Sequence, residues 1–435
     1  HRLLCHDPAT AVAAPPARPR SRGRSGQRLL QLVTRSKVSG AVAKEANRSR
    51  PRFALPALCV TQITSWGIIF YAFPVLNPHI IVDSGWSAGA TTAAFSLALI
   101  VSALAGIHIG RIIDHHGPRM VMTVGSTLAT LSLLAVAGAP NLPAFFAGWA
   151  LAGLAMAATF YQPAFAALTR WWAPDHLRPL TIITLAGGLA STVFAPVTAA
   201  LAEHLSWRAT YAALALALAI ITIPAHATAL NHPWPPAPPA PAHTGHSATA
   251  VAQSRPFYVL TATLTLSTFT AATVVIALVP LLLERGYSAT QAAWALGLGG
   301  GGQTFGRILY SPLARHTGPT TRTAILIALG GTATAALAAV PGPYGLVLVL
   351  SVAAGMARGN LTLLQATAVT DRWGTTHYGR LSGLLAAPTT AATALAPFAS
   401  AALATPLGGY PYLFALLACL TILAACATPW TRTGG

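Results

Sequence analysis

One basic residue, Arg358, stands deep inside an otherwise apolar run, and its position defines the chemistry open to this chain. Counting back from Asp371 at the end of that run, Arg358 is 13 residues further in, or about 20 Å along a helix axis at 1.5 Å per residue. A side chain cannot snorkel that far, and a cation near the middle of a bilayer costs on the order of 3 kcal/mol or more unless it faces water or a partner. All eight acidic residues lie elsewhere: Asp7 and Glu45 near the start, and Asp83, Asp114, Asp175, Glu203, Glu284 and Asp371 at the ends of apolar runs. The chemistry expected of Arg358 is therefore capture of an anionic group, most simply a carboxylate. Asn360 on the same run, Tyr161 and Gln162, Gln62 and Tyr71, and Gln303 supply hydrogen-bonding side chains at comparable depth. Each of these also has a plain alternative role, stitching one helix to the next.

Other chemistries find no footing in the sequence. Enzymes need paired carboxylates, a His-Glu metal set or an activated nucleophile, and none of these occurs at membrane depth. The run Gly297–Gly302 lacks the Gly-Lys-Ser/Thr of a phosphate loop and reads as a close helix contact. His115-His116 has no partner at metal-ligand spacing, and Cys5, Cys59, Cys419 and Cys426 are too dispersed for a zinc site or disulfide framework. No cofactor is expected.

The elements that must position these residues follow from composition. Charged residues make up 8% of the chain and hydrophobic ones 54%, against about 25% charged in soluble proteins. Such a chain cannot cover a soluble surface. Twelve apolar runs are expected to be membrane-spanning helices, over 54–76, 88–109, 120–139, 143–168, 179–201, 209–229, 257–283, 289–309, 322–341, 344–368, 378–402 and 409–428. The fold class is thus an all-α membrane protein with two six-helix bundles, 53–230 and 257–430. A Pro-rich linker, 231–256, joins them and is not expected to form helix. Residues 1–52 hold twelve of the 26 Lys and Arg residues and read as a disordered, basic, cytoplasmic tail. Without aromatic residues among the arginines to stack on bases, nucleic acid is not the expected partner despite the net charge of +18. The lipid bilayer and a small solute are, and a monomer is expected.

The two bundles are copies of one another. A shift of 201 residues, without gaps, places Gly85-Trp86-Ser87-Ala88 on Gly286-Tyr287-Ser288-Ala289, Asp83 on Glu284, Gly117-Pro118 on Gly318-Pro319, Trp172 on Trp373, His176 on His377 and Ala195-Pro196 on Ala396-Pro397. Six runs per copy put both copies in the membrane the same way round, as a parallel repeat. With the N-terminus inside, Arg111, Arg119, Arg170, Arg178, Arg255, Arg307, Arg315, Arg322, Arg372, Arg380 and Arg432 fall on the cytoplasmic side, and only Arg208 and Arg285 outside. That bias predicts cytoplasmic termini in the plasma membrane.

The segment Gly110-Arg111-Ile112-Ile113-Asp114-His115-His116-Gly117-Pro118-Arg119 resembles the signature G-x-L/I-x-D-x-x-G-x-R/K of the major facilitator superfamily. The second copy, Ser311 to Thr320, is degenerate, with Arg315 in place of the acid. The resemblance, which covers roughly 53–430, implies a two-half transporter whose first, fourth, seventh and tenth helices line a central cavity. It also implies that Gly110, Asp114, Gly117 and Arg119 form a gate that stabilises the outward-open state. The glycines are expected to allow a tight turn, and Asp114 to meet cytoplasmic arginines or a helix N-terminus. Trp171-Trp172, Arg178 and Leu185-Ala186-Gly187-Gly188 resemble the entry to the fifth helix in the monocarboxylate and oxalate-formate branch. That branch places key basic residues on its eighth and eleventh helices, where this chain has Arg307 and Arg380, both expected near the cytoplasmic edge. The expected function is alternating-access transport of a small organic anion such as a monocarboxylate. The alternatives are an efflux antiporter of the same superfamily, whose Gly-Pro motif Ala195-Pro196 resembles in degenerate form, and a transport-inactive membrane sensor.

Overall fold

The computed structural model describes residues 51–235 and 247–432, and these are helical with no strand. The basic tail expected over 1–52 lies outside the described residues as far as Arg50. The spans are α1 (Ala54–Ser84), α2 (Ala88–His116), α3 (Pro118–Ala137), α4 (Leu142–Trp171), α5 (Leu177–His204), α6 (Trp207–Ala229), α7 (Arg255–Glu284), α8 (Ala289–His316), α9 (Pro319–Ala339), α10 (Tyr344–Trp373), α11 (Tyr378–Leu407) and α12 (Tyr410–Ala427). All but α8 are long and apolar enough to cross a membrane on that criterion alone. In α8 the glycine run and the polar Gln291, Gln303 and Arg307 dilute the apolar content, yet at 28 residues it is as long as its neighbours.

The 201-residue register reappears in three dimensions. Ser87 and Ser288 both cap their helices, each accepting from a backbone N–H three residues on at 3.2 Å. Gly85 and Gly286 both adopt left-handed backbone, φ 71° and 83°, to turn out of α1 and α7. Asp83 accepts from the indole of Trp207 at 2.7 Å, and Glu284 from the backbone N–H of Tyr410 at 3.0 Å, so each acid ties its helix to the start of the last helix of its own half. At the same end Arg208 donates to the carbonyls of Ala137 and Ala139, both at 2.8 Å. Arg285 donates to Ala338 at 2.6 Å and Val340 at 2.9 Å. These are the orphan carbonyls of α3 and α9, in matching register.

Two helices are interrupted where they face the other half. Pro163 has no N–H to offer Thr159 four residues back, and its ring would clash there; α4 breaks at Phe160, whose ψ is −158°. Gln62 of α1 repairs the break by donating from Nε2 to the Thr159 carbonyl at 2.7 Å and the Phe160 carbonyl at 3.4 Å. In α1 itself, Trp66–Tyr71 forms a π-helical turn, and Trp66 stacks on Phe160 with ring centroids 4.1 Å apart. Nearby, buried His226 of α6 staples α3 and α1, its ring nitrogens 2.8 Å from Ser126 Oγ and 3.0 Å from Thr61 Oγ1.

Three expectations need correction. The segment Gly110–His116, read as a loop, continues α2 as helix, and only Gly117, at φ 79°, makes the turn. Likewise α8 runs to His316 rather than 309. The linker also departs from its composition. Ala248–Ala252 forms one helical turn capped by Ser247, with Ala248 and Val251 buried, because the prolines that forbid helix stop before it. Residues 236–246 of the linker lie outside the described residues.

Candidate functional site

Arg358 owes its position to a glycine contact between α8 and α10. A Cβ added at Gly299, Gly302 or Gly306 would press on the backbone carbonyls of Ser351, Val352 or Met356. One added at Gly355 or Gly359 would press on those of Gly299 or Gln303. Small residues let two helix backbones approach this closely, so the glycine run is a packing surface, although Gly300 and Gly301 within it face open space. At that separation Arg358 reaches across to Gln303 and donates to its Oε1 from Nε at 3.1 Å and from Nη2 at 2.8 Å.

A second arginine belongs with it. Arg307, expected near the cytoplasmic edge, is only 4% exposed and donates from Nη1 to the carbonyl of Thr184 on α5. Its seat is made by missing side chains. A Cβ on Gly188 would strike the Arg307 guanidinium, and one on Gly187 would strike the hydroxyl of Tyr161. The Gly187-Gly188 pair on α5 was the sequence signal for both. Tyr71 lies within electrostatic reach of Arg307 and Arg358, and Tyr161 within reach of Arg307 and Tyr71. Among the described residues no carboxylate pairs with either guanidinium.

Arg358 itself lines a cavity formed within the second half, with Thr270, Leu296 and Ser351, and the remaining expected residues have other surroundings. Tyr161 and Gln162 line a cavity of about 200 Å³ between the halves, together with Trp66, Phe160, Gln365 and Thr389. Ala157, the 201-register counterpart of Arg358, lines it too, as does Thr362, one turn beyond Arg358 on the same face of α10. Gln62 is fully buried and committed to the α4 break. Asn360 turns away and donates to Met356 of its own helix at 3.0 Å; two residues from Arg358 it is rotated by about 200° around the helix.

At one end of the molecule the halves are latched. Asp114 accepts from the backbone N–H groups of Gly379 at 2.8 Å and Arg380 at 2.9 Å, which are orphan donors at the N-terminus of α11. Of the two partners expected for Asp114, the helix N-terminus is the one it meets. Gly110 is in the helix and serves a crossing: a Cβ there would collide with the Gly379 carbonyl. Arg119 stays within its own half, donating to the Ala227 carbonyl at 2.8 Å and to Asn231 Oδ1 at 2.9 Å. Gly117 is covered by Trp234, whose indole N–H donates to the Asp114 carbonyl at 3.2 Å. Trp234 also stands edge-on to Trp171 and lies under the Arg170 guanidinium. At the opposite end α2 and α11 part around a cleft of about 570 Å³, between Ala88, Thr92 and Ala93 on one side and Ala394, Leu395 and Phe398 on the other.

The fold recurs in known proteins. The family model described as Major Facilitator Superfamily matches residues 58–344 and 262–433. A curated relative, the uncharacterized MFS-type transporter YcxA of Bacillus subtilis, is 24% identical over 147 residues; the match spans 33% of this chain and 35% of that relative, about a third of its length. Among solved structures, the fucose:proton symporter FucP of E. coli aligns with a TM-score of 0.68 at 14% identity, over 88% of this chain and all of that one. The human organic anion transporter MFSD10 aligns with a TM-score of 0.64 at 17% identity, over 87% of this chain and 99% of that one.

Proposed function

The chain belongs to the major facilitator superfamily, and from that premise we propose that it moves a small organic anion, foremost a monocarboxylate, by alternating access. It is a multi-pass membrane transporter and not an enzyme. The observation that carries the anion is the pair of buried Arg307 and half-buried Arg358, neither of them paired with a carboxylate among the described residues, and within electrostatic reach of Tyr71 and Tyr161 of the other half. A buried cation left without a counter-ion is costly, and an anionic substrate supplies the missing charge. The placement of Arg307 on α8 also supports the monocarboxylate and oxalate-formate branch, whereas Arg380 on α11 serves the latch.

In this reading the Asp114 latch closes the cytoplasmic end, and the cleft between α2 and α11 faces outward. With Arg307 moved to the interior, ten arginines remain on the cytoplasmic side against Arg208 and Arg285 outside, so both termini are assigned to the cytoplasm of a plasma-membrane monomer. Cysteine labelling of the linker from outside intact cells would overturn that topology.

The function is tested by reconstituting Arg358→Ala and Arg358→Lys beside the parent and comparing carboxylate flux at equal folded protein. The expected result is a loss of tenfold or more in Arg358→Ala. Undiminished flux, or a native substrate that proves cationic, sinks the proposal; binding without flux in the parent would identify a sensor.

A further inference from the structure

The latched end of the second half carries more positive charge than its own acids answer. That half, 257–430, has two acidic residues. Glu284 lies at the far end and accepts from the Tyr410 N–H, and Asp371 is ion-paired with Arg322. Arg255, at the start of α7, and Arg432, just past α12, are both exposed, and neither is paired with a carboxylate among the described residues. Arg255 is nevertheless held in place, its guanidinium 5.7 Å from the ring centroid of Trp430. The turn that carries Trp430, Thr428–Thr431, is itself anchored: Thr428 and Thr431 are fully buried, and Thr431 Oγ1 accepts from Arg372 at 3.3 Å. Trp430 is 57% exposed, and Tyr258, three residues past Arg255 on α7, is 61% exposed. Exposed Trp and Tyr at the ends of membrane spans sit at headgroup depth. On α12 the exposed residues Cys419, Leu423 and Cys426 stand at i, i+4 and i+7 and share one face, an apolar strip that leads from this end into the membrane.

We propose that Arg255, Arg432, Tyr258 and Trp430 bind the phosphate headgroup of an anionic phospholipid of the surrounding bilayer, with an acyl chain laid along the α12 strip. Guanidinium groups donate charge-assisted hydrogen bonds to phosphate oxygens, and the Trp430 ring holds one of them ready for the contact. The lipid supplies the negative charge that the second half lacks at this end. A free phosphate ion would be drawn to the same arginines but would gain nothing from the apolar strip, so the lipid is the occupant that uses the whole face. The site is independent of the transported solute.

The test titrates the full-length chain, purified in a non-ionic detergent, with dioleoylphosphatidylglycerol or with dioleoylphosphatidylcholine, whose choline cancels the phosphate charge, and counts bound lipid by native mass spectrometry. The anionic lipid should bind at least tenfold more tightly. Each basic residue near anionic headgroups contributes about fivefold, so Arg255→Gln/Arg432→Gln should lose about 25-fold. Trp430→Ala, which keeps both charges, should lose at least threefold. Arg111→Gln/Arg315→Gln removes the same charge from exposed positions at the same end and should change the affinity less than threefold. Equal losses in the two double variants would mean that net charge alone attracts the lipid, and would overturn the site, as would equal affinity for the two lipids. Displacement of phosphatidylglycerol from the parent by excess inorganic phosphate would make this a free-anion site and overturn the lipid as its occupant.

Discussion

Replacing Asp114 with Asn keeps the shape of the latch and removes its charge. The carboxylate takes two backbone N–H groups of α11, at 2.8 and 2.9 Å, and hydrogen bonds to a charged group contribute about 1.5–3 kcal/mol each. The amide has one oxygen, so it keeps one bond in weakened, neutral form, and it no longer meets the positive end of the α11 dipole, itself about 0.3–1 kcal/mol. The net loss is about 2–3 kcal/mol, which at about 1.4 kcal/mol per tenfold shifts the ratio of unlatched to latched molecules by about 30- to 140-fold. Spin labels at His115 on α2 and Arg315 on α8, exposed ends in opposite halves, read that ratio by pulsed dipolar spectroscopy. Transport should fall, while ligand affinity at the distant arginines changes less than threefold. A distance distribution unchanged by Asp114→Asn refutes the latch. Loss of ligand binding in folded Asp114→Asn, with binding retained in Arg358→Ala, would reverse the roles assigned to the two sites.

Gly188→Ala should reduce flux at least tenfold without lowering expression, because the added methyl occupies the seat of the Arg307 guanidinium; flux and fluorescence-detected size exclusion on the same sample decide it. Gln62→Leu leaves the Thr159 and Phe160 carbonyls without their donor and should lower stability by about 1–3 kcal/mol, seen as a fall in Tm. Trp234→Ala removes the indole bond to Asp114 and the stack on Arg170 and Trp171, and should expose the linker next to Asn231 to protease at least threefold faster. His176, beside Asp371 at the latched end, has its pKa pushed below the usual 6.5, mainly by burial. Its folded value is the lower one, so the stability it contributes is present above pH 6.5 and lost as pH falls through the folded value. The parent should therefore lose Tm between pH 7 and 5 more steeply than His176→Gln, and identical slopes would count against the assignment.

The spans and their repeat were legible because membrane helices are written in long apolar runs and because duplicated turns keep their glycines and caps. The site was legible only in part. Arg358 announced itself by its depth, but Arg307 looked marginal because α8 was ended at 309, seven residues short, where its glycines dilute the apolar signal. Asn360 could have been set aside from the outset, since a residue two positions from Arg358 points to the other side of a helix. Pro163 marked the α4 break, yet that Gln62 of α1 would supply the missing donor depends on a contact 97 residues distant. No local pattern marks the π turn in α1. The Pro-rich composition of the linker hid Trp234, whose place is set by the bare surface of Gly117 in another segment.

The arginine caps at the unlatched end bear on how the chain is made. Ala137 and Ala139 are served by Arg208, from the start of α6, and Ala338 and Val340 by Arg285, from the end of α7. The acceptors match in the repeat and the donors do not, but in both cases donor and acceptor belong to one half. The acid ties at Asp83 and Glu284 are equally self-contained. An amino-terminal half emerging first from the ribosome thus carries everything needed to close its own rim before residue 255 has been synthesised, and domains generally fold as units in the order they are made. The Asp114 latch and the bond from Arg307 to the Thr184 carbonyl must wait for the second half. Expressed as two separate polypeptides divided in the linker, the halves should each insert and then find one another through α2 and α11.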